Sequence, residues 1–140
     1  MTLHNYRKRF LWYLSLILVL MLVGCSEDAS SKILSSEEVY DLLKKEKSDL
    51  VKGNNEYFNL IGIKPIHYKL KNDNIFVYEF QNENDIEKAL QDFNEQTKLK
   101  NMQVPIKYTS KNIMVLYLPE KNNPPNKDIS GALKDFIIIQ

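Results

Sequence analysis

The sequence contains little cysteine, glycine and histidine, and each scarcity excludes a class of site. One cysteine among 140 residues means that no disulfide can form within the chain. Two histidines, His4 and His67, are too few for a transition-metal centre, and the acidic residues lack the spacing of a calcium loop. The four glycines form no phosphate-binding loop, and no serine lies in a nucleophile-elbow motif. We therefore expect a protein that is not an enzyme and holds no metal.

Charge is nearly balanced along the chain. Arg7, Lys8 and Arg9 are the only basic residues that precede Cys25, and no acidic residue precedes it. Residues 25–140 therefore carry a formal net charge of −2. They contain no basic stripe, whereas nucleic-acid binding depends on the neutralisation of phosphates by clustered basic side chains. We expect no nucleic-acid partner.

The longest apolar run, residues 10–23, covers about 14 residues and is shorter than the roughly 20 that a membrane-spanning helix needs. It follows the three basic residues, as the apolar core of a signal peptide does. The run leads into a four-residue motif, Leu22, Val23, Gly24 and Cys25. Residues 1–25 thus resemble the signal peptide and lipobox of bacterial prolipoproteins. The alternative interpretations are an uncleaved N-terminal anchor helix and a plain secretory signal peptide followed by a chance cysteine.

The resemblance implies a domain organisation. A signal peptidase that recognises Leu22, Val23 and Gly24 would cut before Cys25, and the cysteine would carry diacylglycerol, with palmitate as a typical acyl chain. Residues 1–24 would then be a signal peptide and residues 25–34 the lipidated cysteine and a flexible tether. Residues 35–140 are predicted to form one globular domain. Two acyl chains anchor a protein firmly, which predicts a lipid anchor on the extracytoplasmic face of the cell membrane.

The first helix of the predicted domain has a clear start. Ser35 can cap it, and Glu38 three residues later completes a capping box. Apolar residues continue at helical spacing as far as Val51, and Gly53 is the predicted stop. Residues 57–63 are an apolar loop or a short strand, and the sequence does not distinguish the two.

Beyond residue 65 the same order of elements occurs twice. Each pass has two β-rich segments joined by a turn and followed by an amphipathic helix. The predicted strands are residues 66–70, 75–80, 104–108 and 113–118. The helical segments 85–93 and 128–136 agree at six of nine positions. This similarity indicates an internal duplication, with convergence of two amphipathic helices as the alternative.

The predicted fold is therefore of the α+β class. An N-terminal helix precedes a ββα-ββα pseudo-repeat, which forms one four-stranded antiparallel sheet with both repeat helices packed on one face. Segments 75–80 and 113–118 are apolar on both sides, which predicts that they are the central strands. The other face of the sheet needs a cover, either the first helix, residues 57–63 or a partner.

Aromatic residues form the candidate interaction surface. Phe76, Tyr78 and Phe80 share one side of a predicted strand, and Tyr117 lies on a strand expected nearby. On an open sheet face they would be a recognition surface, since aromatic residues are enriched at interface centres. On a covered face they would be core. His67 alternates with apolar residues, which predicts a solvated surface histidine.

These observations favour a membrane-anchored extracytoplasmic lipoprotein that acts as a non-catalytic, protein-binding accessory module, for instance of the immunity or exclusion type. Its partner would be another membrane or envelope protein within reach of the tether. The alternative is a lipoprotein that binds and sequesters a small ligand or a peptide. A carrier should have a concave pocket lined by aromatic rings, whereas a protein-binding module should have a flat apolar patch.

Overall fold

The computed structural model describes residues 33–139, so the predicted signal peptide, Cys25 and most of the tether lie outside the described residues. The helices are α1 (Ser36–Glu46), α2 (Asn84–Thr97) and α3 (Lys127–Ala132). The strands are β1 (Val51–Lys52), β2 (Ile66–Leu70), β3 (Asp73–Glu79), β4 (Ile106–Ser110), β5 (Ile113–Leu118) and β6 (Ile137–Ile139). None of the described helices is long and apolar enough to cross a bilayer.

The predicted α+β class is confirmed, and the strands form one antiparallel sheet in the order β1-β2-β3-β5-β4-β6. The sheet has six strands where the sequence predicted four. The two additional strands, β1 and β6, flank β2 and β4, which are therefore not the edge strands. With two and three residues, β1 and β6 are too short to show the alternation that identifies a strand in a sequence.

Helix α1 begins as predicted. The Ser35 hydroxyl accepts a hydrogen bond from the backbone N–H of Glu38, and the Glu38 carboxylate accepts one from the backbone N–H of Ser35. The helix ends earlier than predicted, because the chain turns after Glu46 and Val51 belongs to β1. Gly53 is therefore not the helix stop, and it has a different role at the site described below.

Both faces of the sheet are covered. Ile75 and Val115 lie on the first face, where α1 and α3 pack against them. Phe76 and Met114 lie on the second face, which is covered by α2 and by residues 57–63. The prediction that β3 and β5 are central is confirmed, since they pair with each other and are apolar on both sides.

The ββα-ββα pseudo-repeat is not confirmed. Its two hairpins have the same two-residue turn, Lys71–Asn72 and Lys111–Asn112, with φ of +55° and +53° at the lysines. Its two helices, however, cover opposite faces of the sheet, α2 on the second and α3 on the first. The matching apolar positions specify an amphipathic helix in each half, and they do not specify the face on which it packs.

The two turns mark opposite ends of the sheet. At the closed end, around Asn112, the chain enters the domain, and Leu34 exchanges two hydrogen bonds with the Asn112 side chain. At the open end, around Asn72, β5 runs out into a Pro/Asn-rich loop. A cleft lined by polar side chains lies at this open end.

Candidate functional site: a polar cleft at the open end

The four aromatic residues predicted as an interaction surface are core residues. Phe76, Tyr78 and Phe80 are buried on the second face under α2 and residues 57–63. Tyr117 is buried on the first face, so the structure does not bring it together with the other three. The interaction surface predicted from these rings is therefore not exposed. The cover comes from residues 57–63, whose apolar residues have no regular period.

A cleft of about 400 Å³ opens on the second face at the open end of the sheet. We call it the end cleft. One wall is the loop that follows β1, and the other is the segment around Gln103 and the residues after β5. The polar lining residues are Asn55, Glu56, Asn72, Asn74, Gln103, Glu120 and Lys121. Its apolar part is formed by Tyr57, Phe76, Leu118 and Pro119. A smaller pocket of about 170 Å³ lies on the other side of residues 55–57.

Amide side chains dominate the end cleft, and their nitrogens are already engaged. Asn72 Nδ2 donates to Glu120 Oε1 at 2.8 Å, and Gln103 Nε2 donates to the carbonyl of Pro119 at 2.8 Å. Asn55 Nδ2 donates to Asn74 Oδ1 at 3.3 Å. These bonds fix the side chains and leave the amide oxygens of Asn55, Asn72 and Gln103 on the lining, whereas the Asn74 oxygen is engaged by Asn55 and His67. A ligand that carries hydroxyl or amide N–H donors suits such a surface.

His67 stands behind this lining and is buried, with 4% of its surface exposed. The prediction of a solvated histidine is wrong. Its Nδ1 accepts a hydrogen bond from the backbone N–H of Asn55 at 3.0 Å, and its Nε2 lies 2.9 Å from Asn74 Oδ1. Since Nδ1 accepts and an amide oxygen faces Nε2, the ring is the neutral tautomer with hydrogen on Nε2. Burial lowers the pKa of His67 and Lys69 lowers it further, against the opposing effect of the Asn74 bond.

Gly53 gives the imidazole its space. A Cβ added at Gly53 would overlap the His67 ring at Nδ1 and Cε1. On the other side the ring stacks on Phe76, with 4.7 Å between ring centroids and 18° between planes. The Gly53 backbone N–H also donates to the His67 carbonyl at 2.9 Å. The histidine is therefore held between β3 and the loop after β1.

Tyr57 joins the cleft to the core. Its ring stacks on Phe76 at 4.2 Å with 13° between planes. Its hydroxyl is buried and has no hydrogen-bond partner within residues 33–139. Burial raises the pKa of Tyr57 to about 12, so the phenol is neutral over the physiological range. An unpaired buried hydroxyl of this kind costs about 1–3 kcal/mol.

The opposite wall is fastened by Asp73 at the start of β3. Asp73 Oδ1 accepts from the backbone N–H of Glu120 at 2.7 Å, and its Oδ2 accepts from the Tyr117 hydroxyl at 2.8 Å. The same hydroxyl accepts from the backbone N–H of Asn126 at 2.9 Å. Desolvation raises the pKa of Tyr117. Tyr117 therefore has a structural function, which is to tie the Pro/Asn-rich loop to the sheet.

Exposed apolar side chains lie in the connection between α2 and β4. Leu99 is 96% exposed and Val104 is 77% exposed, on either side of the cleft residue Gln103 in the sequence. They are the two most exposed large apolar residues of the described chain.

Residues 33–139 contain no group of three or more His, Cys, Asp or Glu side chains that could hold a metal ion. The end cleft combines amide oxygens, two carboxylates and one lysine with a neutral histidine behind them. This arrangement can form hydrogen bonds with a polar ligand.

Comparison with protein-family models, with curated proteins and with solved structures finds no match to this chain. The end cleft itself was not predicted from the sequence. Its residues come from four separate stretches, 55–57, 72–76, 103 and 118–121, and the sequence gave a local signal only for a turn at residues 71–74 and for a Pro/Asn-rich loop at residues 119–127.

Proposed function

We propose that the protein is an extracytoplasmic lipoprotein, anchored in the cell membrane through a lipid on Cys25, and that it binds a partner non-catalytically at the end cleft. The lipobox-like residues 22–25 support the anchor. The anchor needs no membrane-spanning segment, since two acyl chains are sufficient.

The observation that carries this proposal is the position of the end cleft relative to the start of the domain. The chain enters at the closed end, where Leu34 is bonded to Asn112. The cleft lies at the other end of β3, a strand of seven residues that spans roughly 20 Å. A tether over residues 26–32 reaches at most about 25 Å. Such a tether would leave the cleft on the part of the domain farthest from its attachment point.

The partner we propose is a polypeptide segment of another membrane or envelope protein. A peptide backbone supplies N–H donors to the amide oxygens of the end cleft, and its apolar side chains can pack on the lining residues Tyr57, Leu118 and Pro119. The role we propose for such a lipoprotein is an accessory one, such as immunity or exclusion, in which it holds a neighbouring protein.

A small ligand or a free peptide is the second candidate. The volume of the end cleft, about 400 Å³, lies within the range of about 300–1,000 Å³ for small-molecule pockets. Its lining has seven polar residues and four apolar or aromatic ones, whereas pockets for apolar ligands are lined mainly by apolar side chains, so this candidate is a polar ligand.

The anchor is tested by replacing Cys25 with serine. We expect the wild-type chain in the membrane fraction, with a mass that shows cleavage before residue 25 and added acyl chains. Cys25→Ser should prevent both lipidation and cleavage. A wild-type chain with an unmodified thiol, or one that retains residues 1–24, would refute the anchor.

The binding site is tested by photo-crosslinking in intact cells. A photoreactive amino acid is placed at Glu56 or Lys121 on the two walls of the end cleft, and at Lys45 on α1 as the matched exposed control. We expect the two cleft positions to capture the same protein and Lys45 to capture none of it. Capture of a low-mass adduct instead would favour the second candidate. Equal capture from Lys45 would refute the cleft as the binding site.

A further inference from the structure

His67 is enclosed by four neighbours, and one of them, the backbone N–H of Asn55, requires an unprotonated Nδ1. Asn55 N–H points at Nδ1, Asn74 Oδ1 lies at Nε2, Phe76 stacks on the ring, and Gly53 lies against Nδ1 and Cε1. Two of these neighbours, Asn55 and Asn74, are also lining residues of the end cleft. The protonation state of the histidine is therefore connected to the shape of the cleft.

Protonation is incompatible with this geometry. A second proton would have to sit on Nδ1, which is 3.0 Å from the backbone nitrogen of Asn55 and already receives its hydrogen. Two N–H groups would then face each other across a distance that suits one hydrogen bond. The ring has no room to move away, because Gly53 lies against its Nδ1 and Cε1 atoms and Phe76 stacks on it. The loop is therefore the part that moves, because residues 53–56 are held to β2 mainly by this bond and by the bond from Gly53 N–H.

The charged groups around the ring do not offset this conflict. On its own strand Lys69 disfavours the cationic form. The loop after β1 contributes Glu56 and the neutral phenol of Tyr57, and β1 contributes Lys52, whose backbone pairs with Tyr68. β3 presents Asn74 and Phe76 to the ring. Within residues 33–139 no carboxylate forms an ion pair with His67.

We propose that His67 is an acid-sensitive latch: its protonation releases residues 53–56 from β2 and dismantles one wall of the end cleft. The inference rests on the proposed function only in assigning a binding role to that cleft. In its neutral form the histidine holds Asn55 and Asn74 in place. In its protonated form it expels Asn55, so that a ligand bound at neutral pH would be released on acidification.

The latch is tested by hydrogen–deuterium exchange of the full chain in detergent micelles between pH 7.5 and pH 5. Protection factors, which correct for the intrinsic effect of pH on exchange, are compared for peptides over residues 53–57 and over β5. We expect protection of residues 53–57 to fall, by at most about tenfold per pH unit, once the pH is below 6.5, the ordinary pKa that the released ring has, while β5 stays protected. In His67→Gln, which cannot titrate there, protection of residues 53–57 should not depend on pH.

A second variant, Asn74→Asp, keeps the test decisive should His67→Gln not fold. A carboxylate at Nε2 favours the imidazolium, so the pH at the midpoint of the loss of protection should rise by about one unit or more. Unchanged protection of residues 53–57 down to pH 5 in the wild type would overturn the latch, as would a midpoint that Asn74→Asp leaves in place. This measurement needs no partner. Absence of crosslinking at Glu56 and Lys121 would overturn the proposed function and leave the latch standing.

Discussion

The two hairpin turns have the same sequence and the same backbone and lie in opposite environments. Lys71–Asn72 and Lys111–Asn112 each join two strands with a positive φ at the lysine. Asn112 is 1% exposed, and its side chain bonds to the backbone of Leu34 and Phe80. Asn72 is exposed, and its side chain bonds to Glu120 at the rim of the end cleft.

The difference shows that the turn motif does not decide what its asparagine does. At the closed end the incoming chain packs over the turn, so the asparagine amide satisfies buried backbone groups and stabilises the fold. At the open end nothing among the described residues covers the turn, and the asparagine lines a cleft instead. We therefore expect substitutions at the closed end to change mainly the stability of the fold, and substitutions at the open end to change mainly binding.

The largest expected effect tests this separation directly. Asn112→Ala removes three hydrogen bonds and leaves the buried carbonyl of Phe80 and the part-buried backbone groups of Leu34 without these partners, so we expect the free energy of unfolding to fall by about 2–4 kcal/mol. The matched change Asn72→Ala should lower it by at most about 0.5 kcal/mol, because Asn72 is exposed. Urea denaturation of the full chain in detergent micelles, followed by circular dichroism, measures both. Equal effects would show that the two ends are not energetically different.

The second prediction compares two glycines. Gly53→Ala places a methyl group against the His67 ring, which Phe76 prevents from moving away, so we expect a loss of about 1–3 kcal/mol. Gly131→Ala in α3 meets no atom within 4 Å and should raise stability by about 0.5–1 kcal/mol through helix propensity. The same denaturation measurement applies. Stability of Gly53→Ala equal to wild type would mean that the loop is not packed on the histidine.

Much of the fold was predictable from local patterns. The capping box of Ser35 and Glu38 located the start of α1, and apolar residues on both sides identified β3 and β5 as central strands. These features depend on neighbouring residues or on strand periodicity, which a sequence displays directly. The flanking strands β1 and β6 could not be predicted from the sequence, because such short segments pair only when the rest of the sheet is present.

The end cleft could not be predicted, for the same reason that His67 was misjudged. Alternation placed His67 correctly on the face opposite to Tyr68, but its burial depends on Gly53 and Asn55, which fold back over it from a loop without periodic pattern. The rings of Phe76 and Tyr78 were likewise identified as sharing one face. Whether a face is exposed depends on its cover, and that cover comes from non-local contacts.

The third prediction concerns acid. The pKa of His67 is lowered in the folded state by burial, while an unfolded chain has the ordinary value of 6.5. The unfolded state therefore binds more protons below that pH, so the stabilisation is complete above pH 6.5 and is lost as the pH falls below it. We expect the melting temperature to fall more between pH 7 and pH 5 in the wild type than in His67→Gln. Parallel pH profiles for the two proteins would contradict this.

The smallest expected effect compares two buried phenols beside the same segment. The Tyr78 hydroxyl donates to the carbonyl of Phe58 at 2.7 Å, whereas the buried Tyr57 hydroxyl has no partner within residues 33–139. Tyr78→Phe should therefore lower the free energy of unfolding by about 1 kcal/mol, and Tyr57→Phe should raise it by about 1 kcal/mol. Opposite signs in the denaturation midpoints would support this assignment. If Tyr57→Phe were destabilising instead, its hydroxyl would have a partner, for example an ordered water between the end cleft and the smaller pocket beside it.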